Sequence, residues 1–415
     1  MKFSVLSFGC RANQADACRI ERDLRAGGGL PAAPGSADVV VVNTCSVTAA
    51  ADAASRRAIR GAARANPRAR IVATGCYATR RPADVAGMPG VRHLVTNADK
   101  VRLAEIVATS ADLARTTSGP ALRPGDRGRT AYPLSVQTGC DERCAYCIVP
   151  STRGPGRSRA VGEVLNQVQR LAAAGFRELW LTGVHLGSYG RDLVPRSRLI
   201  DLLLALDHQS AVPDVTFRLS SLEPMDCGEE IIDLVAGSPR FAPHLHLPLQ
   251  HASDRMLSAM RRPYSATGFR AIVERARARM PDVSIGTDVI AGFPGETEHE
   301  SDELAGFLRE VSPSYVHVFP YSDRPGTEAA AAPSKIPGTV VRQRAERLRG
   351  IARDVHARFV RSQVGRERPA LTLEDGTMAL TDNYLKVRVA PGLGRNARVR
   401  VRIIGGRPLR GEVVA

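Results

Sequence analysis

The chain has 415 residues, enough for two or three domains with ample core. Lys and Arg number 58 against 42 Asp and Glu, and the net charge of +16 points to a polyanionic partner, nucleic acid first among them. No apolar run is long enough for a membrane span, Met1–Ser4 opens no signal-peptide core, and the eight cysteines favour metal or catalysis over disulfides, so a cytoplasmic protein with no membrane partner is expected.

Residues 1–108 alternate short apolar strands with helical stretches, the pattern of a small parallel α/β sheet. Strands are predicted over Phe3–Phe8, Val39–Val42 and Ile71–Ala73, and helices over Asn13–Arg25, Val47–Ala65 and Val101–Val107. Cys10, Cys45 and Cys76 each follow one of these strands. Ligands of open parallel sheets bind beyond the carboxyl ends of the strands, so the three thiols are expected on one edge. Gly9, Asn43 and Gly75 suit tight turns there. Three cysteines at equivalent positions point to an iron–sulfur cluster with one open iron, rather than to three core thiols. Cys18, inside the first helix, and Cys227 read as ordinary buried thiols.

Residues 109–131 are polar and rich in Gly and Pro, and read as a linker. From 132 to 335, strands are predicted over Leu134–Gln137, Glu178–Leu181, Val215–Leu219, His244–Leu247, Val283–Val289 and Tyr315–Phe319. Helical patterns lie between them, and six such units argue an incomplete parallel (β/α)6 barrel. After the first strand, Cys140, Cys144 and Cys147 form a C-x3-C-x2-C pattern. Three thiolates on a 4Fe-4S cluster leave one iron without a protein ligand, and the spacing resembles the radical S-adenosylmethionine enzymes, which implies S-adenosylmethionine chelated at that iron. A zinc knuckle would show paired C-x2-C units, and none is present. Chemistry in such barrels gathers at the strand ends, so Thr182-Gly183, Ser220-Ser221 and Gln250-His251 should share one mouth. Tyr146, Thr182, Gly183, Arg218, Ser220 and Gln250 are the candidate cofactor contacts. Gly292–Glu296 lacks the Lys-Ser/Thr of a phosphate loop and reads as a tight turn.

Residues 336–363 carry an apolar stripe, Val341 to Phe359, on a long arginine-rich helix. From 364 to 415 the period changes to two, with glycines between the strands, as in a small all-β barrel. Lys386, Arg388, Arg398, Arg400 and Arg402 put basic groups on its strand faces, and RNA contact is expected.

These features together resemble the radical S-adenosylmethionine methylthiotransferases. The resemblance rests on Gly9-Cys10, Asn43-Thr44-Cys45, Thr74-Gly75-Cys76, the Cys140–Cys147 loop, Leu181-Thr182-Gly183, Leu219-Ser220-Ser221, His246–Gln250, Gly292–Thr297 and Val318–Ser322. It covers the whole chain and implies a cluster domain, a radical barrel and a C-terminal TRAM RNA-binding barrel. It also implies two 4Fe-4S clusters, on Cys10/Cys45/Cys76 and on Cys140/Cys144/Cys147, with S-adenosylmethionine as cosubstrate. The second cluster would reduce S-adenosylmethionine to a radical that activates carbon 2 of an adenine. The first would carry the sulfur, and a second S-adenosylmethionine would supply the methyl group. The implied partners are a tRNA anticodon loop, an electron donor such as flavodoxin or ferredoxin, and a sulfur donor.

Cys10–Gln14, Arg153–Arg159, Gly183-Val184-His185 and Thr381–Tyr384 are similar to the subgroup acting on N6-threonylcarbamoyladenosine in tRNA. Isopentenyladenosine in tRNA and an aspartate of a ribosomal protein are the alternative substrates, and an RNA-binding module with structural clusters is the non-enzymatic alternative. Arg153, Arg157 and Arg159 follow the cysteine loop and are expected at the mouth on RNA, one of them on the substrate carboxylate. After Gln250 the family has Ser-Gly-Ser, where this chain has His251-Ala252-Ser253.

Overall fold

The computed structural model describes residues 1–109 and 119–414, so 110–118 of the expected linker lie outside the described residues. The first unit runs β1 (Lys2–Ser7), α1 (Arg11–Ala26), β2 (Leu30–Pro31), β3 (Val39–Thr44), α2 (Ala49–Ala65) and β4 (Arg70–Gly75). It continues with α3 (Cys76–Arg80), α4 (Pro82–Ala86), β5 (Val91–Val95) and α5 (Leu103–Thr109). Its five strands pair in parallel in the order β2-β1-β3-β4-β5. The valine run of β3 is central and buried throughout, with Val40 and Val42 in one core and Val39 and Val41 in the other. That two-sided burial is why it reads as a continuous apolar run rather than an alternating one. Sequence periodicity misses β2 and β5. The former has two residues, and the latter is an edge strand carrying Arg92 and His93 on a half-exposed ribbon.

The middle unit begins with β6 (Tyr132–Ser135), β7 (Gln137–Thr138), α6 (Val149–Arg153), β8 (Arg157–Ser158), α7 (Val161–Ala173) and β9 (Glu178–Thr182). Next come α8 (Leu199–Asp207), β10 (Thr216–Leu219), α9 (Glu229–Gly237), β11 (His244–His246), α10 (Asp254–Ala259) and α11 (Ala266–Arg279). It closes with β12 (Ser284–Ala291), α12 (Glu298–Val311), β13 (Tyr315–Pro320) and α13 (Glu328–Ala331). Two parallel three-stranded sheets, β10-β9-β6 and β11-β12-β13, are joined by the bridges Phe217–Phe241 and Ser221–His246. The result is an open six-stranded barrel with a lateral gap between β6 and β13. Helix α1 of the first unit packs against β6, and its Cys18 joins the barrel core. Cys227 is buried in the same core, so both thiols serve packing. The turn after β12 is tight as expected, with Glu296 Oε2 accepting from the backbone N–H of Gly292 (2.5 Å) and Phe293 (3.1 Å).

Helix α14 (Gly338–Gln363) packs along β13 and leads into β14 (Glu367–Leu373), β15 (Met378–Thr381), β16 (Lys386–Arg388), β17 (Arg398–Gly405) and β18 (Arg410–Val414). These close into a five-stranded barrel in the order β14-β15-β16-β18-β17. Among the described residues no helix is long and apolar enough to cross a membrane.

One expectation is corrected at this level. Arg218 does not offer donors to a cofactor. It is wholly buried, its Nε pairs with Glu178 Oε1 at 3.0 Å, and its Nη1 and Nη2 donate to the carbonyls of Asp382 (2.8 Å) and Thr381 (3.3 Å). It shares a strand face with Ser220 but lies deeper, where the C-terminal barrel covers the middle unit. Replacing Arg218 by Ala would leave Glu178 charged and buried without its cation and the Asp382 carbonyl without its donor. The expected loss is about 3–5 kcal/mol of stability, read from urea unfolding; a loss within the range of an ordinary surface substitution would argue against the pairing.

Candidate functional site

The first three-cysteine set sits where the parallel topology puts it, at the carboxyl ends of β1, β3 and β4. Gly9 takes φ +90°, and a Cβ there would lie 2.3 Å from Cys45 Sγ, so only glycine lets these two turns touch. Gly75 takes φ +97°, and a Cβ there would meet the carbonyl of Thr44 at 2.2 Å. Ser55 of α2 clamps Cys45, accepting from its N–H and donating to its carbonyl, each at 3.1 Å. All three thiols are free, with Cys10 exposed and Cys45 and Cys76 buried. Burial, together with the neighbouring Cys10 and Cys76, pushes the Cys45 thiol up to about 11. Cys76 moves the other way: burial would raise it, but the Arg153 and Lys100 charges beside it outweigh that. Mutually repelling thiols without a disulfide are the donor set that a cationic metal centre deprotonates and binds, so these residues fit an iron–sulfur group.

The second set lies on the loop between β7 and α6. Burial pushes Cys140 up to about 11 and Cys147 up to about 12. The Val149 N–H points at Cys147 Sγ (3.4 Å), and Arg262 Nη1 donates to Cys144 Sγ at 3.1 Å. Arg262 is itself held by Glu223 and Tyr264. The loop is anchored by the half-buried ring of Tyr146, packed edge-on against Phe293, which contacts Tyr321. A cavity of about 520 Å³ opens over Cys140, Cys144 and Cys147. Free thiols facing an open cavity, with donors aimed at two sulfurs, fit a cluster with a free coordination position.

Two buried ion networks bring the sets together. Asp16 of α1 accepts from Lys100 Nζ (2.9 Å) and Arg153 Nη2 (2.8 Å), and Arg153 also reaches Asn13 Oδ1 at 2.6 Å. Burial alone would raise Asp16, but the two cations hold it far below the usual carboxylate range. Asp52 of α2 accepts from Arg80 (2.6 Å) and from Arg324 of the middle unit (2.8 Å). Asn97 Nδ2 donates to the Thr152 carbonyl at 2.8 Å and faces Cys76 Sγ at 3.6 Å, and α3 packs on α6. A second cavity, of about 190 Å³, is bounded by Val47 and Thr48 beyond Cys45 on one side and by Tyr146, Gln250 and Asp288 on the other.

The Radical SAM superfamily model matches residues 134–308, and the model described as uncharacterized protein family UPF0004 matches residues 2–96. The chain is 34% identical to the threonylcarbamoyladenosine tRNA methylthiotransferase MtaB of Aquifex aeolicus, over 94% of this chain and 96% of that one. It is 37% identical to the ribosomal protein uS12 methylthiotransferase RimO of Roseiflexus sp., over 87% and 84%. The chain belongs to the radical S-adenosylmethionine methylthiotransferases. As a member of that family it is an enzyme whose cofactors are S-adenosylmethionine and two 4Fe-4S clusters. Among solved structures, the radical S-adenosylmethionine methyltransferase TsrM of Kitasatospora setae shares the fold at TM-score 0.57 and 15% identity, over 79% of this chain and 74% of that one.

Within this methylthiotransferase the other expected site residues divide. Gln250 lines the second cavity, and its φ of +64° is held by a backbone bridge to Val289. Ser220 Oγ is buried without a partner, a free hydroxyl in the barrel. Thr182 donates its hydroxyl to the Trp180 carbonyl, and Gly183 lies so close to Leu186 that a Cβ would meet its Cα at 2.8 Å. His251 is buried and neutral, lowered to about 4 by burial, with Nδ1 accepting from the Ser253 N–H. Arg153 is corrected: its guanidinium is spent on Asp16 and Asn13, with its side chain 4% exposed, rather than standing free at the mouth. Arg157 is exposed, while Arg159 faces Glu163 and the Ser135 carbonyl. Lys386 and Arg388 are exposed on β16, whereas Arg398 docks on the middle unit through Thr216 Oγ1 and the carbonyls of Arg177 and Asp214. Sequence reasoning missed Asp16, Asp52, Arg262 and Arg324. An acid on the buried face of α1 was the available signal for Asp16; the others show none until the units meet.

Asp16→Asn leaves Lys100 and Arg153 buried without a counter-charge and is expected to cost roughly 3–5 kcal/mol near neutral pH. A carboxylate depressed in the folded state stabilises above its unfolded pKa near 4 and loses that contribution as pH falls toward the folded value. Urea titrations of wild type and Asp16→Asn from about pH 6 to pH 2 should therefore converge at the acid end; a gap independent of pH would contradict the assignment.

Proposed function

We propose that this enzyme adds a methylthio group to carbon 2 of N6-threonylcarbamoyladenosine next to the anticodon of tRNA. The observation that carries the reading is the pair of three-cysteine sets, each at the strand ends of its own unit, in two units that the Asp16 and Asp52 networks tie together. In it, Cys140, Cys144 and Cys147 hold the cluster that binds S-adenosylmethionine, and Cys10, Cys45 and Cys76 hold the cluster that presents sulfur. When bound, these groups supply an adenosyl radical and an activated sulfur. The protein's part is placement. Tyr146 and Gln250 line the space for S-adenosylmethionine, with the free hydroxyl of Ser220 buried in the same barrel, Arg262 holds Cys144 in place, and the 190 Å³ cavity between Val47-Thr48 and Gln250 receives the adenine edge. The exposed position of Cys10 suits delivery by a sulfur donor, and the open cavity over Cys140–Cys147 suits approach of a small electron carrier such as flavodoxin or ferredoxin.

Residues 364–415 act as a TRAM-type RNA-binding unit, with Lys386, Arg388 and the exposed Arg157 on tRNA phosphates. The subgroup is supported by the relatives named for threonylcarbamoyladenosine, from Aquifex aeolicus at 34% identity and from Bacillus subtilis at 35%. Ribosomal protein uS12, for which the RimO relative is named, is the second candidate at a similar identity.

Three outcomes test this. Anaerobic reconstitution should load about eight irons, and the Cys140/Cys144/Cys147→Ala variant about half of that; a variant that keeps all its iron sinks the assignment. Nucleosides from tRNA treated with the reconstituted enzyme should show a methylthio adduct on the threonylcarbamoyl form and none on the isopentenyl form, by mass spectrometry. Lys386→Ala with Arg388→Ala should weaken tRNA binding and reduce its salt slope by about one per residue. An unchanged slope would place the RNA elsewhere.

A further inference from the structure

Two stretches from opposite ends of the chain meet inside the barrel. Arg11 follows Cys10 directly, yet its side chain leaves the cluster unit and enters the middle one. Its guanidinium carbon lies 3.9 Å from the centre of the Trp180 ring, and its Nη2 donates to Tyr384 Oη at 3.0 Å. Tyr384 arrives from the C-terminal barrel in a left-handed conformation (φ +73°) that a tyrosine rarely adopts. Its ring is held between Trp180 (5.7 Å), His244 (4.5 Å) and Tyr315 (5.4 Å).

The other nitrogen of that guanidinium, Arg11 Nη1, is buried and has no partner. No carboxylate among the described residues lies within ion-pair distance of it. Arg218, the neighbouring arginine, is neutralised by Glu178, whereas Arg11 is a guanidinium against Trp180 that has no acid partner among the described residues. His244 adds none: burial and the nearby Arg218 and Arg11 hold its pKa well below the ordinary imidazole range. A buried guanidinium nitrogen without an acceptor is costly, and sites built this way take an anion. The rings continue outward from His244 through Tyr315, His246 and His317 to the partly exposed Phe319, a stack of flat faces along which a base and its substituent can slide.

We propose that Arg11, steadied by Trp180 and Tyr384, binds the carboxylate on the N6 substituent of the substrate adenosine and so sets which modified base this enzyme accepts. The proposal deepens the threonylcarbamoyl reading and rests on it. Carbon 2 and the N6 substituent point to opposite sides of an adenine. A base whose carbon 2 faces the sulfur-bearing thiols at Cys10 and Cys45 therefore sends its substituent further into the barrel. Arg11, one residue from Cys10, spans that distance with its side chain. A charge-assisted contact to a planar carboxylate uses the two-nitrogen face of a guanidinium, which a lysine cannot reproduce. A backbone phosphate is the other anion tRNA carries. It could reach Arg11 through the cavity of about 590 Å³ that Arg11 lines with Arg129, Trp180, Tyr384 and Lys386, and a stem-loop with plain adenosine separates the two anions.

The test is binding of reconstituted enzyme with S-adenosylmethionine to one anticodon stem-loop, made with threonylcarbamoyladenosine or with plain adenosine at the same position. Wild type should favour the charged base. Arg11→Gln should lose roughly tenfold to a hundredfold on that stem-loop and little on the plain one, bringing the ratio toward unity. Arg11→Lys should recover part of the preference, and Tyr384→Phe should weaken it, with iron content checking that each variant is folded. An Arg11→Gln enzyme that keeps the preference, or that loses affinity for both stem-loops equally as a phosphate contact would, overturns the proposal. Wild type that makes no distinction between the two overturns the threonylcarbamoyl reading itself, and this proposal with it.

Discussion

One carboxylate, Asp16, stands between two buried cations from different parts of the chain. Lys100 comes from the end of the cluster unit and Arg153 from the helix that follows Cys147. A buried pair of this kind adds little stability over a well-packed apolar substitute, but it fails sharply when one partner is missing. Its value is therefore positional. Arg153 cannot be satisfied unless α6 lies against α1 and α3, and that contact sets the Cys147 loop opposite Cys76. The same two cations also bring down the Cys76 thiol against the pull of burial, so the tie between units conditions a cysteine of the site.

The Asp52 network repeats the device on the other side of the cavity. Arg324 leaves the barrel just after Tyr321, reaches Asp52 and the Ser46 carbonyl, and so ties the turn after Cys45 to the rim that holds Tyr146 and Gln250. The walls of the 190 Å³ cavity therefore come from two units, Val47 and Thr48 from one and Tyr146, Gln250 and Asp288 from the other. The C-terminal barrel is joined by a further buried cation, Arg218, and by Arg398 at its edge. That docking leaves Lys386 and Arg388 facing outward while Tyr384 faces in. An all-β unit attached in this way does two jobs at once, offering charge to a polyanion and closing the inner end of an open barrel.

Much of the architecture was legible in the chain because it depends on local pattern. The helix over 298–311 and the strand over 178–182 fall close to where the 3.6 and 2.0 periods put them, and the six cysteines lie after the strands that periodicity marks. Strand β5 was not legible, because an edge strand exposing Arg92 and His93 carries no apolar run.

The arginines divide in the same way. Sequence order determined that Arg153 follows the cysteine loop and that Arg218 precedes a strand end, and both facts suggested the mouth. Only the tertiary structure decided that Arg153 turns back onto Asp16 and that Arg218 lies deep enough to meet carbonyls of the C-terminal barrel. Arg11, which the sequence marked only as the basic residue of the Cys10–Gln14 stretch, lies against Trp180 with one guanidinium nitrogen unpartnered. The physical reason is range. Backbone propensity and thiol spacing act over a few residues, so composition and order carry them. The partner of a long charged side chain is chosen by whichever acid or carbonyl the packing of distant units brings within about 3 Å, and that choice is made only when the units meet.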